Sequence, residues 1–347
     1  MSKVPVGITV EKDEIQRIFS GLAIEAHKRL SNSLPKQKKK VIVLAGPTGC
    51  GKSDFAMRLA EKMGGEIISA DSMQVYKGMD IGTAKPPMED RLHIPHHLID
   101  IRNIKDPFNV VDFYYEARHC CQLILARDNI PIIVGGAGFY IHSLMYGPPS
   151  GPPSIPELRK SLEDEMETFG AEALYDRLLK LDPQYASSIT KNDKQKIVRA
   201  LEIITLTGKL VSKLSWKGRQ KPLNYDFHCW FLDRPRPHLY ERIEKRCDKM
   251  LESGLLEEVI CLEKDGLRSN SSATQAIGYR QSLEYLDTAK SEADYTHFVQ
   301  KFKQASRNYA KRQATWFNKE PLFNKIDLEL HDYEVIMDKI MQEYEAT

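Results

Sequence analysis

The sequence contains no C-x-x-C cysteine pair and no run of about 18 apolar residues. Its six cysteines therefore favour neither a zinc module nor a disulfide framework, and we expect a reducing compartment. No membrane span is expected either. The formal net charge is only +2, so a nucleic-acid surface must be a local patch. Residues 1–39 lack the apolar core of a signal peptide, and together these absences predict a cytoplasmic protein.

The chain does have a phosphate-loop motif, G-x-x-x-x-G-K-[ST], which is matched at every fixed position. The apolar run 41–45 precedes it as a predicted buried strand, and a stretch without helix breakers follows it as a predicted helix. Backbone N–H groups, the helix dipole and the Lys52 charge would hold phosphates, while the Ser53 hydroxyl would reach Mg²⁺. The predicted phosphate-binding residues are Gly46, Pro47, Thr48, Gly49, Cys50, Gly51, Lys52 and Ser53.

Strand and helix signals alternate from residue 40 to residue 147, which favours an α/β fold with a parallel sheet flanked by helices, as in phosphate-loop NTPases. Strands are predicted at 66–70, 98–101 and 130–134, and a Gly-Pro-rich break at 147–154 precedes charged helices. A strand at 225–232 returns to the sheet, and long helices follow. We divide the chain into an N-terminal extension (1–39), a phosphate-loop core (40–147), a helical insertion (148–222), a return to the core with C-terminal helices (223–330) and a C-terminal tail (331–347).

The N-terminal extension carries two weaker signals. Residues 14–30 could form an amphipathic helix, and the lysine-rich run 36–40 is either a solvated lead-in to the first strand or an arm that binds nucleic acid.

Asp71 comes directly after the second predicted strand, and Gly135-Gly136 comes after a later one. Ligands of parallel sheets bind beyond the C-terminal strand ends, so both positions should lie near the phosphate loop. A carboxylate there could hold Mg²⁺ or act as a general base, or it could simply cap a turn. The uncharged run that follows Asp71 favours substrate contact.

An ordered set of motifs resembles the tRNA dimethylallyltransferase family, in its bacterial form without a C-terminal zinc finger. The resemblance covers roughly residues 40–325. Its motifs are GPTGCGKS at 46–53, SADSMQVYKGMDIGTAKP at 69–86, PHHLIDI at 95–101, VGGAGFY at 134–140, NDKQKIVRALEI at 192–203, AIGYRQ at 276–281 and AKRQATWF at 310–317.

The resemblance implies transfer of a dimethylallyl group from dimethylallyl diphosphate to N6 of adenine 37, in tRNAs that read codons beginning with U. Asp71 matches the general base, while Lys52 and Arg246 match groups at the diphosphate. Mg²⁺, bound through Ser53, is the implied cofactor. The implied tRNA contacts are Asp71, Ser72, Met73, Gln74, Gln195, Lys196, Ile197, Val198 and Arg199.

This chain departs from the family pattern at Ala137, where the family usually has threonine, and at Lys196, where it usually has arginine. Lysine keeps the charge but loses bidentate geometry. Arg246 and Arg242 could also form an exposed helix face paired with Glu241 and Glu244.

Two further clusters have open interpretations. His93, His96 and His97 with Asp100 suggest a metal site, but their spacing is not that of a standard zinc site. The basic and aromatic residues of 311–317 either pack as a core helix or face RNA phosphates.

Three alternative functions stay open: a prenyltransferase acting on free AMP, ADP or ATP, a small-molecule kinase that binds ATP, and an RNA-binding module without activity. The expected partners are the tRNA anticodon arm and dimethylallyl diphosphate, and we expect a monomer that does not bind membranes.

Overall fold

A computed structural model describes residues 39–149, 151–214 and 225–346. In these residues six parallel strands form one sheet in the order β3-β2-β4-β1-β5-β6. The strands are β1 (Lys39–Ala45), β2 (Gly65–Ala70), β3 (His96–His97), β4 (Ile130–Gly135), β5 (Tyr225–Asp233) and β6 (Phe323–Asp327). The predicted parallel α/β fold is confirmed.

Twelve helices accompany the sheet in the described part of the chain. They are α1 (Lys52–Met63), α2 (Met88–His93), α3 (Val110–Leu125), α4 (Gly138–Tyr146), α5 (Pro156–Leu181), α6 (Pro183–Ala186), α7 (Lys194–Thr207), α8 (Arg236–Glu252), α9 (Leu255–Lys264), α10 (Tyr279–Leu286), α11 (Glu292–Phe317) and α12 (Tyr333–Glu345). No helix among the residues described is both long and apolar enough to cross a membrane.

Strand β1 occupies the centre of the sheet because its apolar run is buried on both faces. Residues 41–45 are fully buried, and Val43 lies opposite Ile133 of β4 and Cys229 of β5. A continuous apolar run suits a parallel strand covered by helices on both sides. The phosphate loop therefore begins at the carboxyl end of a central strand of the sheet.

The predicted strand at 98–101 is wrong. The pairing residues are His96 and His97 instead, and Leu98 and Asp100 then take positive φ angles of 64° and 57°. The backbone N–H of Asp100 donates to the Gln74 carbonyl oxygen at 3.1 Å, so this segment bonds to the loop after β2 and not to a strand.

The helices of the insertion form a hydrophobic cluster separate from the main core. Its buried members include Leu162, Leu174, Leu178 and Leu201. Helix α5 breaks at Gly170, where φ is 85°. A separate core supports the predicted insertion, although its exact boundaries stay predictions.

Residues 331–347, which the sequence analysis assigns to a C-terminal tail, contain α12. This helix buries Ile336, Met337 and Ile340 in the main core. The predicted helix at 14–30 and residues 36–38 of the lysine run lie outside the described residues.

Candidate active site

The phosphate loop joins the end of β1 to the start of α1, as the motif predicts. Gly51 precedes α1 with φ of 100°, a conformation that favours glycine, and no side chain caps the helix. The first-turn N–H groups therefore face a cavity of about 980 Å³, which we call the first cavity. Open N–H groups at a helix N-terminus form an anion site.

Lys52 and Arg246 supply positive charge to the first cavity. Lys52 Nζ donates to the Pro47 carbonyl oxygen at 3.3 Å, and Arg246 Nη1 donates to Thr48 Oγ1 at 3.0 Å. Burial lowers the pKa of Lys52 and that of Arg246, while the nearby Asp71 acts in the opposite direction on both. An anion bound here would favour the charged form of Lys52.

Arg242 also turns toward the phosphate loop. Its Nε donates to the Gly49 carbonyl oxygen at 2.9 Å, whereas Glu241 pairs with Lys245 and Glu244 pairs with Arg307. Arg242 is therefore exposed, as that alternative expects, but it does not pair with those glutamates.

Asp71 follows β2 and does cap a turn. Its Oδ1 accepts hydrogen bonds from the backbone N–H groups of Met73, at 2.8 Å, and Gln74, at 3.4 Å. No described residue donates a hydrogen bond to Oδ2. The turn thus fixes the carboxylate and leaves one oxygen available for a proton or a metal ion.

Asp71 also lines a second cavity, of about 300 Å³. The two cavities share part of their walls, and Asp71 belongs to both. The shared residues are Thr48, Asp71, Thr83, Arg246, Met250 and Tyr309. The two cavities are therefore neighbours that meet at Asp71.

Sequence reasoning missed the role of Gln313 on α11. The backbone N–H of Thr48 donates to its Oε1 at 2.9 Å, and its Nε2 donates to the Gly136 carbonyl oxygen at 3.1 Å. A Cβ at Gly136 would lie 2.0 Å from Nε2, so this contact requires glycine. The motif at 310–317 contains Gln313 but gives no sign of its partner.

The predicted tRNA-contacting residues divide into two groups. Ser72 and Met73 line the second cavity and Gln74 lines the first, so the structure brings them together with Asp71. The second group lies on α7. None of its members, nor any other described residue of the insertion, lines either cavity.

Within the α7 group only Gln195 and Lys196 are exposed. Ile197 and Val198 are 0% and 2% exposed, so their side chains pack in the insertion core and cannot offer a direct contact to RNA. Arg199 forms an ion pair with Glu202 (2.5 Å) and donates to the Pro152 carbonyl oxygen. The second contact connects α7 to the segment that precedes α5. The Arg199 guanidinium therefore serves the insertion's own structure.

The cavity lining suits a magnesium ion better than a transition metal. The exposed hydroxyl of Ser53 and the Asp71 carboxylate both line the first cavity, and oxygen ligands with few protein contributions suit Mg²⁺. His93, His96 and His97 contact Glu61, the Ile94 carbonyl oxygen and Glu66 respectively. No group of three or more candidate His, Cys, Asp or Glu ligands exists in the described ranges.

Comparison with family models gives two matches. The model described as IPP transferase matches residues 74–320, which is more than half of the chain, and the model described as Isopentenyl transferase matches residues 39–108.

Sequence relatives agree with these matches. A tRNA dimethylallyltransferase of Protochlamydia amoebophila is 64% identical over 96% of this chain and 97% of its own length. Another, from Chlamydia caviae, is 50% identical over 88% of this chain and 90% of its own length.

Solved structures agree as well. The full-length tRNA isopentenylpyrophosphate transferase of Bacillus halodurans has a TM-score of 0.65 and 36% identity, covering 89% of this chain and 98% of its own. A eukaryotic dimethylallyltransferase described as acting on tRNA has a TM-score of 0.69 and 32% identity, covering 83% of this chain and 74% of its own.

Proposed function

The chain belongs to the IPP transferase family, and from that membership we propose that it prenylates tRNA. It transfers a dimethylallyl group from dimethylallyl diphosphate to N6 of adenine 37, in tRNAs that read codons beginning with U, and releases diphosphate. The observation that carries this proposal is the position of Asp71 in the wall shared by the two cavities. Donor and acceptor need separate entrances, because the carbon under attack is covered by the diphosphate on one side.

The first cavity takes the donor. The N–H groups of the loop and the charges of Lys52 and Arg246 face the diphosphate, whose bridging oxygen gains charge as its bond to C1 breaks. Preformed donors of this kind stabilise the charge that develops on the leaving group in the transition state more than they stabilise the bound substrate. The bond that breaks is carbon–oxygen, so the loop supports no phosphoryl transfer.

Mg²⁺ would be held by Ser53 together with diphosphate oxygens, and when bound it neutralises part of the leaving group's charge. Asp71 is another oxygen donor in the lining of the first cavity.

The second cavity takes the adenine. An anticodon-loop base can leave its stack at modest cost because it is unpaired. N6 attacks C1, and Asp71 Oδ2 takes the N6 proton as the new bond forms. An exocyclic amine is scarcely acidic beforehand, so the transfer of the proton and the attack must nearly coincide.

The RNA would approach along α11 and the insertion. Lys311, Arg312, Trp316 and Lys319 line a surface groove, and Arg312 also lines the second cavity. These cations form no ion pair with another described residue, which leaves them available to phosphates. The exposed Gln195 and Lys196 would contact the anticodon stem from the insertion. All of these contacts come from one chain, so we propose a monomer, located in the cytoplasm.

The test is incubation with dimethylallyl diphosphate and unmodified tRNA, followed by nucleoside mass analysis. The proposal expects a mass gain on adenosine 37. Parallel reactions with AMP, ADP and ATP as acceptors test the free-nucleotide alternative, and labelled ATP tests a kinase. Prenylation of a free nucleotide without prenylation of tRNA would contradict the proposal.

A further inference from the structure

Glu258 on α9 receives hydrogen bonds from three consecutive backbone N–H groups. Its Oε2 accepts from Asp80 at 3.0 Å and from Ile81 at 2.7 Å, and its Oε1 accepts from Gly82 at 3.2 Å. Consecutive N–H groups that converge on one anion form a nest. Here the anion is a side chain 176 to 178 residues away in the sequence, so the contact docks one distant segment onto another.

Tyr279 completes this arrangement. Its hydroxyl donates to Glu258 Oε1 at 2.6 Å, and its ring is fully buried against Gly82, where an added Cβ would lie 2.5 Å from the ring. Burial and the adjacent Glu258 raise the pKa of Tyr279 well above its usual value, so the hydroxyl keeps the proton that it donates. The Glu258 carboxylate thus has four donors from two elements.

The docked segment, Asp80–Thr83, forms part of the wall of both cavities. Asp80, Ile81 and Thr83 line the first cavity, whereas Gly82 and Thr83 line the second. A shift of this segment would change the space on both sides of the reacting atoms.

Hydrogen bonds continue from this segment to Asp71. The Thr83 carbonyl oxygen accepts from Gln74 Nε2 at 3.3 Å, and Gln74 Oε1 accepts from Ser69 Oγ at 2.8 Å. The backbone N–H of Gln74 donates to Asp71 Oδ1. Gln74 therefore connects the docked segment to the end of β2 and to the carboxylate.

We propose that Glu258 is a positioning residue for prenyl transfer: it holds Asp80–Thr83 in place and, through Gln74, fixes the orientation of Asp71 between the two cavities. Glu258 lines neither cavity itself, and it acts only through the segment that it holds. The proposal deepens the proposed function and rests on it.

Glu258→Gln is the central variant because it keeps the shape of the side chain, removes its charge and turns one acceptor into a donor. We expect kcat for tRNA prenylation to fall by about 10- to 100-fold, since small misplacements of reacting groups have effects of this size. KM for dimethylallyl diphosphate should change by less than about threefold, because the phosphate loop makes no contact with Glu258. Tyr279→Phe should lower kcat by a smaller factor, as it removes one of the four donors.

Amide hydrogen exchange reports the docking independently of activity. The amides of Asp80, Ile81 and Gly82 should exchange faster in Glu258→Gln than in the wild type. Glu257→Gln is the matched control: this neighbour on α9 is exposed and makes none of the hydrogen bonds to the docked segment. It should leave kcat and these amides unchanged.

The kinetics of each variant are measured from well below its unfolding midpoint up to that temperature, and kcat is compared well below it. A Glu258→Gln protein with wild-type kcat, or with unchanged amide exchange, would overturn the positioning role. A loss confined to temperatures near its unfolding midpoint would also overturn it, since that is the behaviour of a purely structural residue. A wild-type protein that prenylates no tRNA would instead refute the proposed function.

Discussion

Gln313 accepts a hydrogen bond from the backbone N–H of Thr48 at 2.9 Å, so a side chain of the last long helix before β6 holds the phosphate loop. Its amide nitrogen donates to the Gly136 carbonyl oxygen at 3.1 Å. The Gly136 carbonyl oxygen also accepts from the Gly138 N–H group at 3.0 Å, whereas the buried Gln313 side chain supplies the acceptor for the Thr48 N–H group. The loops that follow β1 and β4 are therefore linked through α11.

Replacing Gln313 with leucine should damage donor binding. The Thr48 N–H group loses its acceptor, which costs at most about 1–3 kcal/mol, the range for a fully buried group. We expect kcat/KM for dimethylallyl diphosphate to fall about 10-fold or more, together with a lower free energy of unfolding in urea. Thr296→Ala, an exposed change on the same helix and away from the groove, is the control. Equal kcat/KM in Gln313→Leu and the control would show that the loop holds its shape without Gln313.

Glu66 should make stability depend on pH in the acid range. Burial alone would raise its pKa, but hydrogen bonds from Arg127, Asn129 and His97 bring the pKa down to about 2 from 4.5. A lowered pKa means that the charged form stabilises the fold. The contribution is complete above pH about 4.5 and is lost as the pH falls toward about 2, and the shift corresponds to about 3 kcal/mol.

Urea unfolding of the wild type and of Glu66→Gln, from pH 6 down to about 3, measures this contribution. The wild type should be more stable at pH 6, and the difference should shrink as the pH falls. A difference that stays constant over this range would contradict the assignment to the Glu66 carboxylate.

The sequence predicted the centre of this site well for physical reasons. The phosphate loop and Asp71 depend on local signals: fixed spacing, a buried apolar strand and the rule that parallel strands end at one edge. Gln313 and Glu258 could not be found in this way, because each acts on backbone groups more than 170 residues away. The wrongly predicted strand at 98–101 has a related cause, since hydrogen bonds to residues distant in the sequence fix the backbone conformation there.

Lys196 offers a test of the insertion as a tRNA clamp. Its side chain is exposed, and its contact at 3.1 Å is the surface ion pair with Asp193. If Lys196 contacts a phosphate, Lys196→Ala should weaken tRNA binding. It should also reduce the slope of log K for tRNA binding against log salt concentration by about one unit. Lys191→Ala, which removes another exposed and paired lysine of the insertion, is the control.

Arg199→Ala should behave differently from Lys196→Ala. Because Arg199 pairs with the buried Glu202, its removal should lower the stability of the insertion by about 3 kcal/mol or more. Thermal unfolding and filter binding over a range of salt concentrations separate the two effects. An unchanged salt slope in Lys196→Ala would count against the clamp.

Asp71→Asn isolates the role of the carboxylate as a base. Asparagine keeps an oxygen that can accept from the Met73 and Gln74 N–H groups, so the turn should persist while the proton acceptor is lost. We expect unchanged tRNA affinity and a single-turnover rate lower by roughly 10²-fold or more. Asp265→Asn is the control, since Asp265 is exposed and lines neither cavity.

A slow Asp71→Asn variant has two explanations, and the dependence of its rate on the Mg²⁺ concentration distinguishes them. If Asp71 is the base, the loss of rate in Asp71→Asn should persist at every Mg²⁺ concentration, because asparagine cannot take the N6 proton. If Asp71 serves only as a ligand of Mg²⁺, raising the Mg²⁺ concentration should restore much of the rate. Recovery at high Mg²⁺ would therefore assign Asp71 to metal binding and not to proton transfer. The roles proposed for the two cavities would not change.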